Sequence, residues 1–137
     1  MRRKAHIELG RLSTAGASVA GTALMACVTD EMNPVLVRAE AAYSLGKIRP
    51  TPPEVADFLL ETIDVRTPPA IVTSTLAALL QLDPPVDEQL AIWTRKAAAL
   101  EPVCRQVDSA AELGSREAPR ARKYLEALLA RWRATSS

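Results

Sequence analysis

The stretch Asn33-Pro34-Val35-Leu36-Val37-Arg38-Ala39-Glu40-Ala41-Ala42-Tyr43-Ser44-Leu45-Gly46 decides the fold, because the chain returns to its pattern twice. At an offset of 34 runs Thr67-Pro68-Pro69-Ala70-Ile71-Val72-Thr73-Ser74-Thr75-Leu76-Ala77-Ala78-Leu79-Leu80. At 68 runs Glu101-Pro102-Val103-Cys104-Arg105-Gln106-Val107-Asp108-Ser109-Ala110-Ala111-Glu112-Leu113-Gly114. Pro34, Pro68 and Pro102 coincide at this spacing, and so do Leu45, Leu79 and Leu113. The opening residues add a partial fourth copy at an offset of 36, with Ala5-His6-Ile7-Glu8-Leu9-Gly10-Arg11-Leu12 against Ala41-Ala42-Tyr43-Ser44-Leu45-Gly46-Lys47-Ile48. Self-similarity at a period of this size marks stacked supersecondary units.

Each copy has the marks of one helix. Its proline falls in the first turn, where a missing N–H costs nothing and the fixed φ already suits a helix. Val37, Ala41, Leu45 and Ile48 then recur at helical spacing and line one face. Gly46 either ends the helix or permits a close approach. In the second copy Ile71, Leu79 and Leu82 keep the face and Thr75 interrupts it. In the third, Arg105 and Ser109 break it, and the stripe rotates onto Val103, Val107 and Ala110. Further helices fall between the copies. Residues 53–63 present Val55, Phe58, Leu59 and Ile63; residues 87–98 present Leu90, Ile92 and Trp93. Residues 17–28 present Val19, Leu24, Met25 and Val28; residues 119–133 present Tyr124, Leu125, Leu128, Leu129 and Trp132. No useful β-alternation occurs. A single hairpin cannot cover its own apolar face, so the units must stack.

The 137 residues suit one domain spanning 1–137, and 48% apolar content supplies a core. Aromatics are only 4% of the chain, leaving a core of Ala, Leu and Val that favours close-packed helices. One histidine and two cysteines exclude most zinc sites and any disulfide-stapled scaffold.

Residues 34–48 resemble the second helix of a HEAT repeat, in the short bacterial type called bilin-lyase HEAT-like. Val37-Arg38, Ala41-Ala42 and Leu45-Gly46 match its opening, middle and close. The tetratricopeptide repeat has the same period, but its aromatic and glycine pattern is absent. The resemblance implies an all-α, right-handed α-α superhelix: about three helix pairs, a partial helix at each end, and second helices lining a concave surface. It also implies protein binding, with Arg38, Tyr43, Lys47, Thr73, Ser74, Gln106 and Glu112 on the lining. Arg38 in such repeats often bonds acidic or carbonyl groups of adjoining loops, and Asp30, Glu31 and Asp64 are its candidate partners; ligand contact is the other reading. A subunit of a bilin lyase-like, chromophore-handling complex is the alternative function. The iron-dependent hydroxylases of this family need His-Glu pairs, which one histidine cannot supply.

No catalytic, metal or cofactor constellation emerges from the residues, and the expectation is a protein without enzymatic activity. His6 stands alone on a helical fragment. Cys104 lies near a helix start, a place that can lower a thiol pKa, yet on a helix that must pack. Glu54, Asp57, Glu61 and Asp64 surround one helix without a loop to gather their oxygens on calcium, so they read as a solvated face. Phosphate loops, zinc spacings and nucleophile elbows are missing.

Charge is uneven. Residues 1–12 carry a net +3, residues 13–114 a net −6 and residues 115–137 a net +4. Basic ends and an acidic middle point to a protein or peptide partner or to self-association, and the N-terminal end offers a face for a second copy. The overall +1 counts against a nucleic-acid groove. The basic last helix reads as a cap on the array rather than a membrane-surface helix. Leu24-Met25-Ala26-Cys27 resembles a lipoprotein cleavage box, which would make the protein exported. Glu8, Arg11, the diluted apolar stretch and the repeat match of residues 3–12 instead favour a cytoplasmic chain.

Overall fold

The computed structural model describes residues 13–83, 87–112 and 121–135. Seven helices occupy them: α1 (Thr14–Thr29), α2 (Val35–Leu45), α3 (Val55–Thr62), α4 (Pro69–Gln81), α5 (Asp87–Ala98), α6 (Glu101–Glu112) and α7 (Ala121–Thr135). Among the described residues there are no strands. The partial copy at residues 5–12, with His6, lies outside them.

The first two copies of the repeat are built alike down to their loops. Ahead of α2, Asp30 Oδ1 accepts from the Met32 amide at 3.0 Å and the Asp30 carbonyl accepts from the Asn33 amide at 3.0 Å. Ahead of α4, Asp64 Oδ1 accepts from the Arg66 amide at 2.7 Å and the Asp64 carbonyl from the Thr67 amide at 3.1 Å. Pro34 and Pro68 cap the two helices in extended conformations, and their carbonyls accept from Val37 and Arg38, and from Ile71 and Val72. These are the same bonds moved by one repeat.

The broadest helix contact joins α2 to α4, and α1 lies against α2. Gly46 explains the closeness of α2 to α4. It has an ordinary right-handed conformation, φ −71°, so its role is not to end the helix in a left-handed turn. A Cβ there would lie 2.6 Å from the Ala78 carbonyl oxygen. Of the two readings of this glycine, close approach is the one realised.

The apolar faces follow the expected stripes with four corrections. Ala41, Leu45 and Ile48 are buried, but Val37 is 42% exposed, because the first turn of α2, with Val35 and Leu36, is left uncovered. Val19 is 70% exposed. The inward face of α1 runs through Ala17, Gly21, Leu24 and Val28, and Val19 lies about 200° around the helix from Ala17 at about 100° per residue. Ile92 is exposed for the same reason, one residue off the buried line Leu90, Trp93 and Ala97. Thr75 does not interrupt the face of α4. It is fully buried, its hydroxyl donating to the Ile71 carbonyl at 2.6 Å, so no polar atom is left unpaired.

The third copy departs from the first two. Ala98 stands where Asp64 stands one repeat earlier, and only Ala99 and Leu100 separate α5 from α6. The stripe of α6 turns as expected onto Val103 and Val107, with Cys104 fully buried beside them. The side chain of Ala110 lies outside the described residues. In a linear stack α6 would be the next neighbour of α4. Instead α7 packs broadly on α4 and also on α5 and α6, while α4 meets α6 only slightly. Leu125, Leu128 and Trp132 of α7 are buried, and the Trp132 ring lies 6.0 Å from that of Trp93, tilted by 49°.

Two polar devices fix this arrangement, and neither was signalled by the sequence. Asp108 is buried on α6 and caps α7 across the intervening chain, accepting from the Ala121 amide at 2.7 Å and the Arg122 amide at 3.2 Å. Arg49 donates to the Gln81 carbonyl at 2.6 Å, and Arg131 donates to the Leu80 carbonyl. Both guanidinium groups thus meet the carbonyl end of α4, where the helix dipole is negative.

Candidate functional site

Repetition of the loop at residues 30–34 by the loop at residues 64–68 produces a groove of about 610 Å³ between the first two helix pairs. Val28, Thr29 and Glu31 form one side, from the end of α1. Phe58, Glu61 and Thr62 of α3 form another, and the second loop closes it with Asp64, Arg66 and Thr67. Arg38 reaches in from α2. That volume lies in the range of small-ligand and peptide-side-chain clefts.

Arg38 is half-buried, and its Nε donates to the Val28 carbonyl at 2.8 Å. Its partner is therefore a carbonyl, not Asp30, Glu31 or Asp64; among the described residues no carboxylate pairs with it. The lining carboxylates are partly occupied elsewhere. Lys96 of α5 lies 3.3 Å from Glu61 and 3.4 Å from Asp57, bridging half of the acidic ring around α3. Those two carboxylates hold the Lys96 ammonium above its usual pKa, the Glu61 bond contributing most. Asp64 is bound into its loop by Arg66 N and by the Thr67 hydroxyl, which lies 3.2 Å away.

The two loops that form the groove also carry exposed apolar side chains: Met32, next to the lining residue Glu31, is 91% exposed, and Val65, between the lining residues Asp64 and Arg66, is 64% exposed. Leu36, 76% exposed on the first turn of α2, stands about 200° around the helix from Arg38 and lies outside the lining.

The other expected lining residues are placed as follows. Tyr43 of α2 and Lys47, just beyond the end of that helix, meet each other, the Lys47 ammonium 4.5 Å over the Tyr43 ring, a cation–π pair four residues apart. Thr73 and Ser74 are half-buried on α4, and the Thr73 hydroxyl is turned back onto the Pro69 carbonyl at 3.0 Å. Gln106 is exposed on α6, and the side chain of Glu112 lies outside the described residues. Of these residues only Arg38 lines the groove; Tyr43 and Lys47 are joined to each other.

Met32, Leu36, Phe58, Val65 and Arg66 were not expected in a site. The signal that marks Met32, Val65 and Arg66 is the recurrence of Asp, two intervening residues, Asn or Thr, and Pro at 30–34 and 64–68; Leu36 and Phe58 lie outside it. That pattern sets two matching loops side by side.

Cys104 is held as a neutral thiol. Burial raises its pKa to about 11, with the nearby Asp108 carboxylate adding to the rise. Of the two readings of Cys104, the buried thiol on a helix that packs is the one realised. Among the described residues no group of three or more His, Cys, Asp and Glu side chains is placed to hold a metal ion. Leu24-Met25-Ala26-Cys27 lies within α1, and no described helix is long and apolar enough to cross a membrane.

No family model, no curated protein and no solved structure matches this chain.

Proposed function

We propose that this chain is a non-enzymatic adaptor, a short HEAT-like α-solenoid that binds a protein or peptide on the side formed by its two matching loops and the start of α2. The observation that carries this reading is the exposure of Met32 and Val65 on the two loops that form a charged groove, with Leu36 exposed on the first turn of α2. Apolar anchors ringed by charge are what a partner needs to exclude water while keeping register. The in-register loops and the close α2–α4 pair support a HEAT-like order in the first two repeats. Arg38 bonding a carbonyl in the last turn of α1 is in keeping with a structural role for this arginine. In this reading the superhelix is right-handed and α7 closes its C-terminal side.

The test is affinity capture from the native cell with the wild-type chain and with the triple variant Met32→Ser, Leu36→Ser, Val65→Ser. The variant should retain its helical circular dichroism and lose the captured partner. Undiminished capture by a folded triple variant would move the interaction to another surface.

A further inference from the structure

We propose that the groove takes an extended peptide segment by an acidic side chain, Asp or Glu, whose carboxylate seats on Arg38 while a neighbouring apolar residue lies against Phe58. This rests on the adaptor reading and names the chemistry of its partner.

Arg38 has more donors than the bond to Val28 uses. A guanidinium carries five N–H donors in a planar fork, and Arg38 uses its Nε on the Val28 carbonyl. That bond fixes the orientation of the side chain. The terminal nitrogens, on a half-buried residue of the groove lining, have no carboxylate among the described residues. A fork already oriented, with no carboxylate on it among the described residues, matches a carboxylate with two parallel bonds and little loss of rotamer freedom. Arg66 adds a second cation to the same lining.

The lining acids then select among anions. Glu31, Glu61 and Asp64 share the groove, and among the described residues only Glu61 is offset by a lysine, Lys96. A phosphate close to a double negative charge meets more repulsion from them than a carboxylate with a single one. A phosphopeptide is disfavoured on the same ground. Phe58 is half-buried in the lining and offers an apolar surface beside the charge, which suits a peptide better than a free small acid.

The experiment uses the full chain and short fluorescein-labelled peptides, each holding one leucine and one glutamate at varied spacing. Every peptide has a glutamine twin, and both are amidated so that no terminal carboxylate competes. Anisotropy titrations should show at least one glutamate peptide binding about tenfold more tightly than its twin, the size expected of one charge-assisted bidentate contact. Arg38→Gln should make the twins equal. Because that substitution also removes the bond to Val28, a second readout uses the unaltered protein. The Arg38 Nε–Hε resonance should shift with the glutamate peptide and stay still with its twin. Twins that bind alike, a preference that survives Arg38→Gln, or a phosphoserine peptide that outcompetes the glutamate one would each overturn the proposal. Should no peptide bind while the triple apolar variant still loses its captured partner, the carboxylate site fails and the adaptor reading stands. If the glutamate peptide binds and capture ignores the triple variant, the adaptor surface fails and the carboxylate site stands.

Discussion

A methyl group added at Gly46 would lie 2.6 Å from the carbonyl oxygen and 2.7 Å from the Cα of Ala78, both backbone atoms that cannot swing aside. Gly46→Ala must therefore push α2 away from α4 along the broadest contact in the fold. We expect a loss of about 1–3 kcal/mol in denaturant unfolding, the usual range for forced overpacking. Gly21→Ala makes the informative control. Its added methyl meets the Pro52 ring at 3.2 Å, and alanine also raises helix propensity, so the two effects oppose each other. Equal losses for the two variants would refute the close-approach account of Gly46. In the sequence this glycine is open to two readings, because a late glycine serves both termination and packing. Only the φ of −71° and the neighbour at Ala78 separate them. Asp108 shows the opposite limit. A lone aspartate in a helical stripe reads as solvated, and nothing local reveals that it caps a helix thirteen residues onward.

At the scale of elements, the alternation of helices and most buried faces were legible, because a period near 3.6 residues registers directly in apolar spacing. The misplaced residues have two causes. Val19 and Ile92 are apolar and near a stripe, yet off the line that a neighbouring helix covers, whereas Val37 is on its line but in a first turn that no helix covers; sequence periodicity says neither how wide nor how long the covered band is. The groove was less legible still, since it is made by loops and the periodic signal stops at helix ends. Its sequence mark is Asp30 with Pro34 and Asp64 with Pro68, and this leads to a paired prediction. Asp30→Ala and Asp64→Ala should each destabilise the fold by about 1 kcal/mol, the net worth of a turn hydrogen bond. The Asp64 loss should be the larger, since that carboxylate also accepts from the Thr67 hydroxyl. Urea titrations of the two variants measure this directly. A neutral Asp30→Ala would show that the two loops are alike in geometry but not in energy. Ala98, at the corresponding place in the third copy, can form no such turn, and this accounts for the short α5–α6 joint.

For the whole molecule the decisive question is how far the halves depend on each other. In a linear stack each repeat touches only its neighbours, and the last hairpin can detach while the rest stays folded. Here α7 breaks that rule by lying against α4, α5 and α6 together, so it ties the third copy to the second. Trp132 is its largest fully buried side chain and packs on Trp93. Trp132→Ala should cost about 3–5 kcal/mol, as expected when a large aromatic is removed from a core. The more telling result is the shape of the transition. The chain has two tryptophans, so in this variant fluorescence reports Trp93 alone, on α5, while far-ultraviolet circular dichroism reports every helix. If α7 couples the halves, both signals should fall at the same urea concentration, because losing α7 uncovers α4 as well as α5. If the array is only a chain of neighbours, fluorescence should change first and the ellipticity of α1 to α4 should persist to higher urea. A gap between the two curves would mean that α7 covers the third copy without holding it to the second, and the groove-bearing half would then be an independently folding unit.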